Sequence, residues 1–200
     1  MLFSTVTEIC ILALVGLAAA SPIELTKRAD VVIGYRRASK EQAADYNAKK
    51  TLTFDPNWEN WGKQIGTGVY TTPDRDSYEP MADPESWYCI ITADSAALDA
   101  VHKAWIPQKS GTTKLWFGND DVINAYIKGL DASWDPEKTL RLSIIAGMKN
   151  GALEMLIPPK LLNDQGGNLK IKVQCKEKKE EITDTPTNYD TWKNVKGSKQ

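Results

Sequence analysis

Three short segments of the sequence hold side chains whose types and spacing suit binding or catalysis. The first is Gly34-Tyr35-Arg36-Arg37, at the end of an apolar, β-branched run that predicts a strand. An arginine at a strand end can bind a phosphate or a carboxylate through two parallel N–H donors. The alternative is that both arginines lie at an ordinary solvated strand end.

The second segment, Gly66-Thr-Gly68-Val-Tyr70-Thr71-Thr72-Pro, combines two glycines with an aromatic ring. Glycines let a backbone approach a ligand closely. Tyr70 could stack on a flat heterocycle, and Thr71 and Thr72 could hydrogen-bond its polar atoms. The spacing matches neither the dinucleotide-binding fingerprint nor a Walker loop, so on its own the segment also fits an ordinary turn.

The third segment, Ala152-Leu-Glu154-Met-Leu-Ile-Pro-Pro, places a carboxylate in an apolar strand. Strand alternation puts Glu154 on one face with Ala152 and Leu156. A glutamate among apolar neighbours is costly unless it is paired or used in a site. The alternative is the solvated face of an edge strand.

Taken in order, these segments resemble the mono-ADP-ribosyltransferases, which include vertebrate ectoenzymes and several bacterial toxins. The segment starting at Glu154 is similar to the Glu-Val-Leu-Ile-Pro-Pro strand around their catalytic glutamate, and Tyr35-Arg36 resembles the Tyr-Arg of their first strand. Gly66 to Tyr70 resembles the Gly-Lys-Gly-Ile-Tyr of the poly(ADP-ribose) polymerase branch. Tyr78 is similar in place to the second nicotinamide-stacking tyrosine of that branch.

The resemblance implies a split β-sheet that binds NAD, the substrate, in a central cleft. Arg36 would bind the phosphate side, Tyr70 would stack on nicotinamide, and Glu154 would stabilise the oxocarbenium-like charge as nicotinamide leaves. The implied activity is that of a mono-ADP-ribosyltransferase or an NAD glycohydrolase. Its catalytic residues would be Glu154 and Arg36, and its NAD-binding residues Arg36, Gly68, Tyr70, Thr71, Thr72 and Tyr78.

Two departures from the resembled pattern bear on the acceptor and on activity. Ala152 stands where arginine-specific transferases have a glutamate and other toxins a glutamine, which favours a different acceptor or water. Tyr70-Thr71-Thr72 replaces the Ser-Thr-Ser strand of the toxin branch. The acceptor could be a protein or another macromolecule. The alternative function is a secreted effector or binding protein that uses the same fold without turnover.

Other enzyme classes fit the residues less well. A Ser-His-Asp hydrolase would have to use His102, the single histidine, and the sequence has no Gly-x-Ser-x-Gly elbow. No metal site is predicted, because Asn119-Asp120-Asp121 is better explained as a helix start. A glycosidase would need two carboxylates in a cleft, and Trp58 and Trp61 could then serve as sugar platforms.

The N-terminal residues predict export. Residues 1–20 combine an apolar run with a small-residue end, Ala18-Ala19-Ala20, and are typical of a signal peptide. Residues 21–28 form a short pro-segment that ends in Lys27-Arg28, where kexin-type proteases cut, so the mature chain is predicted to begin at Ala29. No stretch reaches the length of a membrane span. The protein is therefore predicted to be secreted.

Cysteine number and net charge limit the remaining classes. Cys89 and Cys175 remain after loss of the signal peptide, and an even pair in an oxidising compartment predicts a disulfide. The net charge of −1 gives no nucleic-acid-binding signature and no attraction to anionic membranes.

Hydrophobic periodicity predicts an α+β domain over residues 29–175, followed by a loosely held polar tail over 176–200. Strands are predicted at 31–35, 69–72, 87–92, 140–145, 152–157 and 169–173, and helices at 39–49, 94–104 and 121–129. Ser39 and Gln42 predict a capping box for the first helix, and Asn119 predicts the cap of the last.

Overall fold

The computed structural model describes residues 29–58, 62–77, 83–148, 151–165 and 167–199. The predicted signal peptide and pro-segment, together with Tyr78 and Trp61, lie outside these residues. Within them the chain forms strands β1 (Asp30–Ala38), β2 (Val69–Thr71), β3 (Trp87–Asp94), β4 (His102–Trp105), β5 (Lys109–Ser110), β6 (Thr113–Lys114), β7 (Thr139–Ile144), β8 (Leu153–Ile157), β9 (Lys172–Lys176) and β10 (Val195–Lys196), and helices α1 (Lys40–Lys49), α2 (Ser95–Ala100) and α3 (Asp120–Leu130).

The smaller of the two main sheets is antiparallel and has the strand order β1-β3-β9. Cys89 of β3 lies directly opposite Cys175 of β9, and the two form a disulfide across a sequence separation of 86. The predicted disulfide is therefore confirmed. By closing so long a loop it restricts the unfolded chain, which stabilises the fold by about 4 kcal/mol.

Helix α1 begins where the sequence predicts, because Ser39 and Gln42 form a reciprocal capping box. The helix lies beside β9, where the Asn47 side chain accepts from the Cys175 N–H (2.8 Å) and donates to the Cys175 carbonyl (3.0 Å). These two hydrogen bonds replace those of a neighbouring strand. They protect this part of the sheet edge from pairing with another chain.

The larger sheet has five strands in the order β10-β4-β7-β8-β2. β4 is parallel to β7 and β10, whereas β8 is antiparallel to β7 and β2. Tyr35 of β1 and Thr72, which follows β2, exchange two backbone hydrogen bonds of 2.8 Å and so join the two sheets. Gly34 is required at this junction, because a Cβ there would lie 2.9 Å from the Thr71 Oγ1.

The two faces of the larger sheet belong to different parts of the core. One face packs with the smaller sheet and α1 and contributes Leu142, Met155 and Ile157. The opposite face packs against α3 through Ala104 and Leu156, which contact a cluster that includes Ile123 and Ile127. Strand alternation therefore determines which side chains of β7 and β8 lie on the α3 side.

Two predicted elements are wrong in extent. The helix predicted to run through Ala104 ends at Ala100, and His102–Trp105 forms β4 between β7 and β10. Leu98 and Val101 give this stretch a helical pattern, but strand pairing on both sides of β4 overrides it. The strand predicted at 169–173 lies instead at Lys172–Lys176, opposite β3.

The C-terminal residues are held more firmly than the sequence predicts. The Tyr189 side chain is fully buried, and β10 pairs with β4. The Tyr35 hydroxyl donates to the Thr183 carbonyl (3.0 Å) and accepts from the Thr185 N–H (2.6 Å). The folded structure therefore continues beyond residue 175, because this segment contacts both sheets.

The protein has a mixed α/β fold with few helices, several sheets and one disulfide. This confirms the predicted class at that level. Within the described residues, the helices are all too short or too polar to cross a membrane.

Candidate functional site

Glu154 lies in β8, an inner strand of the larger sheet. Ser143 of β7 is directly opposite it, and Tyr70 of β2 is directly opposite Leu156, two residues further along β8. Side chains at these register positions share one face of the sheet, the face that packs against α3. Because β8 has a strand on each side, the alternative of a solvated edge strand is wrong.

The Glu154 side chain is buried, and one of its carboxyl oxygens lacks a hydrogen-bond partner among the described residues. The residue is 2% exposed, and its Oε1 has no hydrogen-bond partner among the described residues. Burial disfavours the charged form and raises the pKa of this carboxyl from 4.5 to about 8. A buried carboxyl with a strongly shifted pKa and an unsatisfied oxygen is typical of a functional site.

The Ser143 hydroxyl, although opposite Glu154, is used elsewhere. The buried Gln64 side chain donates to this hydroxyl (3.2 Å) and to the Ile144 carbonyl (2.6 Å), while its own oxygen accepts a backbone N–H (2.7 Å). The hydroxyl lies within donating distance of the Ile106 carbonyl (3.0 Å) and the Ile144 carbonyl (3.1 Å). Its hydrogen-bonding capacity is therefore taken up by Gln64 and the backbone.

Arg36 approaches β2 from the smaller sheet. Its Nη1 donates to the Tyr70 carbonyl at 3.0 Å, and its side chain is half-buried. Glu154 lies on β8, which pairs directly with β2. The structure thus brings the first predicted segment, containing Arg36, and the third, containing Glu154, against the second, which contains Tyr70.

The Tyr70 ring is half-buried and held in one orientation. Its hydroxyl accepts from the Ile65 N–H (3.0 Å) and donates to the Gly66 carbonyl (2.8 Å). Gly66 has a φ of +104°, and a Cβ there would lie 2.0 Å from the Arg141 Nη1. Only glycine fits this turn, so the turn and the tyrosine are positioned together.

An ion pair between the buried Arg141 and the partly exposed Asp120 holds that turn against α3. The Arg141 Nη1 donates to Asp120 (2.7 Å) and to the Ile65 carbonyl (3.0 Å), and its Nη2 donates to Asn124 (2.9 Å). Asp120 also accepts from the Thr67 N–H (3.1 Å). Burial raises the pKa of Asp120, but the hydrogen bonds from Thr67 and Arg141 outweigh it and leave the pKa lowered.

Comparison with known proteins identifies a sequence family for most of the chain. Residues 63–198, more than half of the chain, match a family of unknown function, DUF5910. The chain belongs to DUF5910. Comparisons with curated proteins and with solved structures give no match.

Three predicted ligand contacts of this DUF5910 chain have structural roles. The Thr71 hydroxyl donates to the Met155 carbonyl (3.3 Å), the Thr72 hydroxyl donates to the Asp74 carbonyl (2.8 Å), and both side chains are buried. A Cβ at Gly68 would lie 2.4 Å from the Ile157 carbonyl oxygen. These residues hold β2 against its neighbours. Tyr78 lies outside the described residues.

The residues of the rival enzyme classes are also explained structurally. The His102 ring stacks on Trp134, with centroids 4.6 Å apart, and Asn119 caps α3 by accepting from the Val122 N–H. Within the described part of the chain, no group of three or more His, Cys, Asp or Glu side chains is arranged to hold a metal ion.

Sequence reasoning missed Gln64 and Arg141, and it assigned Asp120 only to the start of a helix. Arg141 carried a usable signal, because a charged residue between Leu140 and Leu142 in a predicted strand is as unusual as Glu154 between Leu153 and Met155. Gln64 carried none, since its role depends on partners about 80 residues away.

Proposed function

We propose that this protein cleaves the nicotinamide–ribose bond of NAD, as an NAD glycohydrolase or a mono-ADP-ribosyltransferase of the ADP-ribosyltransferase superfamily. The observation that carries the proposal is the buried Glu154 carboxyl, whose Oε1 has no hydrogen-bond partner among the described residues, on β8 beside the Tyr70 strand β2. Arg36, which donates to the Tyr70 carbonyl of β2, adds the cation that a dinucleotide phosphate requires. Two sheets joined between Tyr35 and Thr72 agree with a split β-sheet of this type.

Each side chain has a role in this reaction. Arg36 binds a phosphate oxygen, and the fixed ring of Tyr70 stacks on the nicotinamide. The bond between ribose C1′ and the nicotinamide nitrogen breaks, its electron pair leaves with nicotinamide, and positive charge develops on the ribose. The ionised Glu154 stabilises that charge, and a water or another nucleophile adds to C1′ and releases a proton.

The raised pKa of Glu154 defines the pH dependence of this step. The unliganded carboxyl has a pKa of about 8, so much of it is protonated at neutral pH. The positively charged nicotinamide ring favours the ionised form when NAD binds. We therefore expect kcat/KM, which reports the free enzyme, to rise as the pH rises toward 8 or 9.

Water is the preferred acceptor in this proposal. Ala152, two residues before Glu154, has no side-chain group that could hydrogen-bond or orient an arginine acceptor. The Ala152 carbonyl accepts from the Ile145 N–H at 2.8 Å and continues the strand pairing. The site therefore lacks the second carboxylate that would favour guanidinium transfer.

Export is also part of the proposal. Residues 1–28 have the pattern of a signal peptide and a pro-segment, and the Cys89–Cys175 disulfide suits an oxidising compartment. Mass spectrometry of the secreted chain tests this, with Ala29 as the expected first residue. Retention of residues 1–28 on the secreted chain would contradict it.

The decisive experiment measures nicotinamide release from NAD by the purified, disulfide-bonded protein. We expect wild type to release nicotinamide and Glu154→Gln to lose at least 100-fold in rate, on the order of one lost electrostatic contact in a transition state. Arg36→Ala should chiefly raise KM, because its contact is made with bound NAD throughout. Circular dichroism and thermal unfolding confirm that each variant is folded.

Two matched variants serve as controls. Glu137→Gln removes an exposed carboxyl on the turn before β7, and Arg37→Ala removes the neighbouring arginine, whose guanidinium lies 3.8 Å from the centre of the Tyr88 ring. Both should release nicotinamide at wild-type rate. If wild type releases none, with or without a cell lysate as a source of acceptors, the enzymatic proposal fails and a binding function on this fold remains.

A further inference from the structure

The Ser143 hydroxyl, opposite Glu154, is a potential hydrogen-bond donor, but it does not donate to the Glu154 carboxyl. Ser143 and Glu154 are cross-strand partners on neighbouring strands, with their side chains on the same face. Directly opposed residues have Cβ atoms about 5 Å apart, which is within reach for a hydroxyl and a carboxylate. Yet the Glu154 Oε1 is buried with no partner among the described residues.

The reason lies in the Gln64 side chain. Its amide nitrogen donates to the Ser143 Oγ (3.2 Å) and to the Ile144 carbonyl (2.6 Å). Its oxygen accepts from the Ala146 N–H (2.7 Å), which fixes which end of the amide faces Ser143. With the amide N–H on its oxygen, the hydroxyl directs its single proton to a backbone carbonyl, that of Ile106 (3.0 Å) or Ile144 (3.1 Å).

We propose that Gln64 is a positioning residue: by holding the Ser143 hydroxyl on backbone carbonyls, it keeps the Glu154 carboxyl free to bind a hydroxyl or a cationic centre of the ligand. The role deepens the proposed function and rests on it for its purpose. A carboxylate already bound to Ser143 would be less available to the ribose of NAD. The hydrogen bonds themselves are independent of any activity.

Other ionisable groups around Glu154 are accounted for by their own partners. Arg141, on the same face of β7, is paired with Asp120 of α3. Arg36 of β1 donates to the Tyr70 carbonyl, and the Tyr70 hydroxyl is bound to the 65–66 backbone. Burial and the charge of Glu154 both raise the pKa of Tyr189, so at neutral pH it is a neutral neighbour. Ser143 is therefore the donor whose release would change Glu154 most directly.

The test measures the titration of Glu154 without NAD. The side-chain carboxyl carbon is observed by NMR and is assigned by its disappearance in Glu154→Gln. Wild type and Ser143→Ala should give the same raised midpoint, because the hydroxyl does not contribute in either. Gln64→Met frees the hydroxyl to donate to the ionised carboxylate, which should lower the midpoint by about one unit or more. The double variant Gln64→Met/Ser143→Ala should return it to the raised value.

Several outcomes would overturn the proposal. A higher midpoint in Ser143→Ala than in wild type would mean that Ser143 already donates to Glu154. Equal midpoints in Gln64→Met and in the double variant would mean that the freed hydroxyl is not used. If Gln64→Met does not fold, Gln64→Asn provides the same comparison, since its amide is one methylene too short to reach Ser143.

The kinetic consequence separates this role from the proposed function. If the protein cleaves NAD, Gln64→Met should lower kcat/KM by roughly tenfold above pH 9, where the carboxyl is ionised in both proteins, the effect of one competing hydrogen bond. The pH profile should shift downward with the NMR midpoint, a change that a merely structural role would not produce. If wild type is inactive on NAD, the NMR comparison still decides whether Gln64 positions Ser143.

Discussion

Arg141 and Glu154 are two buried charged residues on the same face of neighbouring strands, and each is 2% exposed. Arg141 donates to Asp120, to Asn124 and to the Ile65 carbonyl. The Glu154 Oε1 has no hydrogen-bond partner among the described residues, although Ser143 lies opposite. The contrast separates a charge that stabilises the fold from one that the fold leaves unsatisfied.

The energetic consequences of the two residues are opposite. A buried guanidinium that has a carboxylate and further hydrogen-bond partners recovers much of its desolvation cost, and removing the carboxylate leaves its charge uncompensated. An unpaired buried carboxyl recovers nothing when it ionises, so it lowers stability as the pH rises. A fold retains such a group when a ligand uses it, which is why stability and activity should change in opposite directions here.

The largest expected effect comes from removing the partner of Arg141. Asp120→Ala leaves the guanidinium buried without its carboxylate and also removes the acceptor of the Thr67 N–H. We expect the free energy of unfolding to fall by ~3–5 kcal/mol at neutral pH, measured by urea denaturation. The turn at Gly66 should become exposed to proteolysis, because it loses its attachment to α3.

Asp121→Ala is the matched control for this prediction. Asp121 is the next residue in the first turn of α3, is exposed, and has no bond to Arg141. Its loss should cost less than ~1 kcal/mol, the effect of one carboxylate at a helix N-terminus. Equal losses in the two variants would mean that the helix start, and not the ion pair, is responsible.

The next largest effect is a gain in stability in Glu154→Gln. The pKa of this carboxyl is about 8 in the folded protein and 4.5 ordinarily, so the folded state binds more protons between these values. The Glu154 contribution to stability is therefore greatest below pH 4.5, falls through this window and is lowest above pH 8. Above pH 8 we expect Glu154→Gln to be more stable than wild type by ~3–5 kcal/mol, with the difference shrinking toward pH 4.

Urea denaturation at several pH values measures this difference. Glu137→Gln changes an exposed carboxyl and should follow the wild-type curve throughout. A glutamine variant that is less stable than wild type at pH 9 would show that Glu154 has a stabilising partner. The same variant should have lost nicotinamide release. Replacing the one carboxyl group of Glu154 would then both raise stability and abolish the proposed activity.

The sequence was sufficient for features determined by near neighbours. Ser39 and Gln42 predict the start of α1, and Glu154 stands out because its own strand neighbours are apolar. The disulfide was predicted from the count of cysteines outside the predicted signal peptide, without knowledge of the pairing of β3 with β9. In each case a local pattern or a simple count contains the relevant physics.

The sequence was insufficient where distant segments meet. β4 looks helical on its own, and only pairing with β7 and β10 makes it a strand. Thr71 and Thr72 look available for a ligand, but the neighbouring backbone uses both hydroxyls. The order of these strands in the sheet is set by contacts across long sequence separations, which periodicity does not encode.

Apart from the control variants, the smallest expected effect on stability comes from replacing Arg141, the cation of the ion pair. Arg141→Met leaves Asp120, whose side chain is 38% exposed and can be solvated by water once its partner is gone. The methionine fills part of the volume, but the Ile65 carbonyl and Asn124 lose a donor. We expect the free energy of unfolding, measured by urea denaturation, to fall by only ~1–2 kcal/mol, which is less than for Asp120→Ala. Because the Tyr70 hydroxyl is bound to the turn that Arg141 holds, nicotinamide release should nevertheless fall, mainly through KM.

A loss of stability in Arg141→Met as large as that of Asp120→Ala would contradict this prediction. It would mean that the guanidinium stabilises the turn through its contact with the Ile65 carbonyl, independently of the carboxylate. In that case Asp120 would not be the group that compensates the Arg141 charge, and the contrast between Arg141 and Glu154 would no longer hold.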